Sequence, residues 1–314
     1  MKLSAVVSLY VSHKRALGQR YRGEEAILRA FCKAVADSAI ANVEADDVLT
    51  FLNGSGGPVT EFWAKKHRVL SGLYRFTLAR GIVERSPLPR TIPKPTVPPF
   101  VPYIYSREEL KGLFDAVPVA CAGRAAIEEE VFKTLLLLLY GAGLRIGEAL
   151  GLTLGDVNLR EAYLRVSRAK FFKSRLVPLG KDLNGALSKY VVRRQERHGS
   201  AEEAPLLCLR DGSAVSQSAA RSAFRRLRAH AGVRREGGAR RQPRLHDLRH
   251  TAAVHRLIEW YRSGTDVQEL LPKLATYLGH VDLSGTQRYL TLTPELLRVA
   301  SRLFEHYALE GEDD

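Results

Sequence analysis

The chain has 314 residues, enough for two domains with separate cores, and its 45% hydrophobic content is ordinary for a globular protein. Its 48 Lys and Arg against 34 Asp and Glu give a formal net charge of +14, which favours a polyanionic partner and puts nucleic acid first. Three widely spaced cysteines, Cys32, Cys121 and Cys208, exclude a disulfide framework and a zinc-finger spacing and fit a reducing cytoplasm; the N-terminus lacks the order of a secretory signal, and the longest apolar run, residues 134–140, is too short to span a bilayer, so no membrane partner is expected.

Apolar spacing predicts four helices over residues 3–17, 23–37, 45–53 and 59–80, the last ending before Gly81. Together they make an all-helical unit over residues 1–84. Its last helix takes Phe62, Val69, Leu70, Leu73 and Phe76 as apolar positions and carries Lys65, Lys66, His67, Arg68, Arg75 and Arg80. Such a face is either solvated surface or a contact for DNA phosphates; Lys65, Lys66, Arg68 and Arg75 are the DNA-binding candidates. Residues 86–102 hold seven prolines, which forbid a helix interior and a central strand, so an extended linker is expected over about 85–103. Ser106 and Glu109 then form a capping box that opens a helix, and helices dominate from 104 to the C-terminus. One interruption is predicted, a β-hairpin with strands 162–167 and 176–179 joined across the basic turn KFFKSR. The fold class is therefore mainly α with a small β-hairpin or sheet.

The chemistry concentrates in three stretches, GAGLRIGEAL, RLHDLRHTAA and LGHVDLSGTQRYL. A phosphodiester under attack becomes more negative, so a catalyst needs fixed cations and donors aimed at its nonbridging oxygens, and arginine suits that task because its planar fork stays charged. Arg145 follows a helix break at residues 141–143, and Glu148 three positions later is placed to hold the next helix by a charge-assisted hydrogen bond. His246 and Arg249 share one face if HDLRHTAAVHRLIEW is a helix. His246 and His250 also stand at a zinc-like spacing, but the Glu of HExxH is absent and nothing completes a metal site, so none is expected and His250 and His255 are read as packing or capping residues. Gly279 can end a helix and expose His280, and Tyr289 becomes a nucleophile if a base or neighbouring cations draw off its proton.

In this order the motifs resemble the tyrosine recombinase, or phage-integrase, family over residues 105–295. GAGLRIGE looks like its first arginine box, HDLRHTAA its His-x-x-Arg box, LGHVDLSGTQRY its His-to-Tyr segment and AKFFKSRLVPL its lysine-bearing hairpin. The resemblance implies a core-binding domain before the linker and an α+β catalytic domain over 104–314 in a C-shaped clamp around double-stranded DNA. It implies that Arg145 and Arg249 clamp the scissile phosphate, His246 assists proton transfer, His280 bonds a phosphate oxygen, Lys170 protonates the leaving 5′ oxygen and Tyr289 attacks. A 3′-phosphotyrosyl intermediate conserves the bond energy, with no cofactor, ATP or metal. Phe171 and Phe172 stand where relatives have a glycine-rich turn, which leaves Lys170 against Lys173 open. Lys173, Arg175, Arg240, Arg241 and Arg244 are further DNA-binding candidates. The long stretch between Arg249 and His280, with Pro272 opening a separate short helix, is similar to transposon-borne relatives. A terminal helix over 292–307, with Leu296, Leu297, Ala300, Leu303 and Phe304 on one stripe, is either core or the element through which protomers join as a tetramer on paired sites. The expected function is site-specific cutting and rejoining of DNA; a type IB topoisomerase, a metal-dependent nuclease and a non-catalytic DNA-binding regulator are the alternatives.

Overall fold

The computed structural model describes residues 1–19, 21–56, 59–93, 101–123, 125–167, 174–238, 241–279 and 284–291, with Arg298 and Ser301. Lys170, Lys173, Arg240, His280 and nearly all of the expected terminal helix lie outside the described residues. Among the described residues no helix is long and apolar enough to cross a membrane. The chain divides into two compact units, one ending at Phe100 and one starting at Val101.

The first unit packs four helices, α1 (Leu3–Ala16), α2 (Arg22–Ala34), α3 (Ala45–Asn53) and α4 (Glu61–Leu78), around Leu3, Leu28, Phe31, Val48, Leu70 and Leu73. In α4 the buried stripe runs Trp63, His67, Leu70, Leu73 to Tyr74 and Thr77, the spacing of one helical face. Phe62, expected in the core, falls off that stripe and is 55% exposed. His67, expected on the basic face, is instead buried, its ring stacked on Trp63. Lys66 turns back to α3, donating to the Phe51 carbonyl at 2.7 Å over the Phe51 ring. That carbonyl is one of those a helix C-terminus leaves without an internal partner, so Lys66 works as a cap. Arg68 and Arg75 stay exposed.

In the second unit α5 (Arg107–Asp115) opens with the capping box read from sequence: Glu109 N donates to Ser106 Oγ at 3.1 Å and Ser106 N to Glu109 Oε2 at 2.8 Å. After α6 (Val117–Ala120), the leucine-rich α7 (Glu129–Tyr140) runs through the core, and the short α8 (Ile146–Ala149) follows. Three antiparallel strands come next, β1 (Val157–Asn158), β2 (Tyr163–Val166) and β3 (Arg175–Pro178), in the order β1-β2-β3. At two residues, β1 is too short to leave an alternating pattern. Ala162 has φ of 51°, which delays β2 by one residue, and β3 begins one residue early, where Arg175 pairs with Val166. Leu164, Val166 and Val177 face the core while Leu176 is exposed, the period-two alternation that fixes the register.

Among the described residues the remaining helices are α9 (Lys181–His198), α10 (Gln217–His230), α11 (Asp247–Arg262), α12 (Val267–Leu278) and α13 (Ser284–Thr291). Pro272 does not open a helix. It sits inside α12, which starts earlier because Asp266 Oδ1 accepts from Gln268 N at 2.8 Å and Glu269 N at 3.3 Å. The missing proline N–H removes the helical donor to Gln268 O, and both Gln268 and Pro272 lie on the exposed side of the helix, where no core contact depends on that bond.

Candidate active site

The site is organised by the end of α12. A helix C-terminus leaves its last carbonyls without backbone donors and carries partial negative charge. Here three arginines from distant parts of the chain supply the donors. Arg175 Nε donates to Tyr277 O at 3.0 Å, Arg249 Nη2 to Leu278 O at 2.6 Å, and Arg145 Nη2 to Gly279 O at 2.7 Å. Gly279 has φ of 69°, and a Cβ there would stand 2.7 Å from the Arg175 guanidinium carbon, so both backbone and packing require glycine.

Glu148 gathers the same three arginines. Its carboxylate accepts from Arg145 N at 3.0 Å and Arg145 Nη1 at 2.8 Å, from Arg175 Nη1 and Nη2 at 3.1 and 2.9 Å, and lies 3.9 Å from Arg249 Nη1. Arg249 also donates to Gly143 O at 2.5 Å, in the break after α7 where Gly143 has φ of 60°. Burial pushes the Glu148 carboxyl up, but the hydrogen bonds from Arg175 and Arg145 and their charges outweigh it and hold it down at about 2. Burial and the Arg145 charge bring the Arg249 guanidinium down to about 10, so it stays charged at neutral pH.

We expect Glu148→Gln to lower stability at pH 7 by roughly 2 kcal/mol, the scale of a lost hydrogen bond to a charged group. Because the folded carboxyl titrates below its ordinary value of 4.5, its contribution is full above that value and vanishes as pH falls toward about 2. Urea melts of both proteins should diverge at neutral pH and converge in acid; a constant gap would mean the charge is not what holds the cluster.

A second group of side chains meets across α11 and α13. His246 stands at the N-terminus of α11 and Arg249 in its first turn, on the face expected from their spacing. Asp247, fully buried, braces this end by accepting from Arg244 N at 2.8 Å and Arg244 Nη2 at 3.1 Å. Burial, then the neighbouring Arg249 charge, lowers the His246 pKa below its ordinary value and favours the neutral ring. One turn on, the His250 ring meets that of His246 edge to face at 4.8 Å, and its Nδ1 lies 2.9 Å from the hydroxyl of Tyr289. The Tyr289 ring is 3% exposed, packed with Ala253, Val254, Leu257 and Leu278.

The fold thus brings Arg145, Arg249, His246 and Tyr289 into one part of the second unit; helical spacing anticipated the shared face of His246 and Arg249, and the family resemblance implied the company of Arg145 and Tyr289. Two residues differ from expectation. Arg175, expected at DNA, has its side chain only 13% exposed and its guanidinium engaged by Glu148 and Tyr277, so in the free protein it is an internal brace. His250, expected to pack or cap, holds the tyrosine hydroxyl. The 246/250 spacing signalled a shared face, but no local signal says that Tyr289 lies against it. Arg241 and Arg244 are exposed just before α11, whereas His255 packs as expected, with Nδ1 2.9 Å from Tyr140 Oη.

Comparison with known proteins finds relatives of this chain in sequence and in fold. The phage integrase family model matches residues 107–295. A Sinorhizobium fredii protein carrying the name integrase/recombinase y4rB is 32% identical over 308 residues, 95% of this chain and 96% of the relative. The tyrosine recombinase XerC of Chlorobaculum tepidum is 30% identical over 276 residues, covering 82% of this chain and 77% of its own. Among solved structures the Tn1549 transposon integrase, in complex with a circular intermediate DNA, shares the fold at a TM-score of 0.67 and 17% identity, over 95% of this chain and 98% of that one. With its arginine cluster, its tyrosine and these matches together, the chain belongs to the phage integrase family and is a tyrosine recombinase, an enzyme of site-specific DNA recombination.

Proposed function

We propose that this recombinase cuts one DNA strand with the Tyr289 oxygen, holds the end as a 3′-phosphotyrosine and passes it to a new 5′ hydroxyl. Arg145 and Arg249 bind the nonbridging oxygens of the phosphate, with His280 as a further donor and His246 assisting proton transfer. The observation that carries this reading is the burial of Tyr289 with its hydroxyl 2.9 Å from His250 on α11, in the turn that also carries His246 and Arg249, the latter joined to Arg145 through Glu148. The experiment is a nicked suicide duplex from a candidate element end. A covalent adduct should form and its DNA-bearing peptide should contain Tyr289; an adduct on another residue overturns the assignment.

Lys170 is the acid that protonates the leaving 5′ oxygen, with Lys173 as its competitor. A sulfur leaving group departs without a proton, so Lys170→Ala should cleave ordinary DNA slowly and recover on a 5′-bridging phosphorothiolate, while Lys173→Ala shows a smaller defect and no selective recovery. The reverse pattern transfers the role.

The helical unit before the linker binds DNA through the exposed side of α4, where Arg68 and Arg75 face solvent. Lys65 and, in the second unit, Arg240, Arg241 and Arg244 add phosphate contacts; Lys66, committed to capping α3, contributes less. Arg68→Ala or Arg75→Ala should reduce the slope of log affinity against log salt by about one unit with sequence preference kept. An unchanged slope removes that side chain from the interface. Protomers assemble as a tetramer on paired sites, a reading supported by the lambda integrase, whose structures include a dimer bound to a core site and a tetramer bound to a Holliday junction; the segment after Thr291 is our candidate for the contact.

A further inference from the structure

We propose that His250 is the base that takes the proton from Tyr289 as its oxygen attacks phosphorus. The inference rests on Tyr289 being the nucleophile and adds what the family motifs leave unassigned, the destination of the phenolic proton. A phenol ionises near pH 10, so at neutral pH almost every tyrosine oxygen carries its proton until a partner removes it. A base must stand within hydrogen-bond reach of that proton, and an imidazole titrates in the range where acceptance is most efficient. The His250 Nδ1 to Tyr289 Oη distance of 2.9 Å meets the geometric requirement.

The fold makes this contact durable. Tyr289 belongs to the buried apolar cluster that includes Ala253, Val254 and Leu257 on α11 and Leu278 at the end of α12, and its hydroxyl lies within hydrogen-bond reach of His250. His250 lies on the solid frame of α11, one turn from His246 and next to Arg249. Accepting at Nδ1 requires the tautomer with its hydrogen on Nε2. In the forward step the Tyr289 O–H bond breaks, the proton moves to Nδ1, and the freed electron pair forms the oxygen–phosphorus bond. The bond from phosphorus to the 5′ oxygen breaks, and that oxygen takes a proton from the acid. Rejoining reverses each transfer, with His250 returning the proton to Tyr289 as it departs. His246 is then left to serve the phosphate, so two histidines one turn apart divide two tasks.

The test combines His250→Asn with a more acidic nucleophile. Asparagine places an oxygen close to the position of Nδ1, accepts the hydrogen bond and takes up no proton. Single-turnover cleavage of the suicide duplex at saturating DNA should fall about 10²–10³-fold, the usual reach of general base catalysis, with DNA affinity unchanged. A ring-fluorinated tyrosine installed at position 289 needs less help to ionise. It should therefore accelerate the His250→Asn protein at least tenfold more than the parent protein. Equal responses in the two backgrounds would reduce His250 to a positioning residue, and faster cleavage by His250→Asn would make it a restraint; either outcome overturns the proposal. If His250→Asn fails to fold, His250→Ala carries the same fluorination comparison, which reads base removal whether or not the hydrogen bond is kept. Failure of the nucleophile assignment itself reads differently, because fluorination at 289 would then change neither rate and the adduct would map to another residue.

Discussion

Tyr289→Phe should form no covalent adduct on the suicide duplex while binding DNA as tightly as the parent protein. The ring, 3% exposed, is held by apolar neighbours that phenylalanine satisfies equally, so the packing between α11, α12 and α13 survives. What is lost is the oxygen and its hydrogen bond to His250 Nδ1. A lost neutral hydrogen bond costs about 1 kcal/mol, too little to unfold a domain of this size, whereas the nucleophile has no substitute. A denaturing gel reads the adduct and a mobility shift reads the affinity. Equal adduct from the mutant would force the search toward another nucleophile and would remove the base assigned to His250 along with it.

How far the sequence reaches can be judged residue by residue. Helix α7 and the caps at Ser106 and Gly279 were legible because each depends on residues within a few positions of one another. So was the shared face of His246 and Arg249, which needs only helical geometry. The brace at the end of α12 was not. Arg145 reaches a carbonyl 134 residues away and Arg175 one 102 residues away, and neither partner is a side chain that a motif would display. Arg175 therefore read as one more cation at a basic turn, although its charge is spent inside the protein. Pro272 misled for the opposite reason. A strong local rule about proline at helix starts was overruled by an aspartate cap six residues earlier, and the carbonyl that loses its donor to the proline belongs to an exposed residue, Gln268. His250 failed because its role depends on α13 folding back over α11, a contact across 39 residues.

Arg249→Ala should show two separable losses, one of stability and one of chemistry. The side chain is 2% exposed and donates to Gly143 O and Leu278 O, so its removal leaves two buried carbonyls without donors and Glu148 with one fewer counter-charge. Leaving a buried acceptor unsatisfied costs about 1–3 kcal/mol, and a melt should register at least that. The second loss follows from charge. As the phosphate passes through its crowded transition state its oxygens gain negative charge, and a fixed guanidinium stabilises that state more than the ground state. Cleavage at saturating DNA should therefore fall about 10²–10³-fold even at a temperature where the mutant is fully folded. Arg249→Lys separates the two effects. Its ammonium keeps the charge but cannot span Gly143, Leu278 and a phosphate together, so it should recover part of the rate and little of the melting temperature. If Arg249→Ala instead cleaves within tenfold of the parent while melting early, Arg249 only braces the end of α12, and the phosphate is held by Arg145 and the residues that follow Gly279.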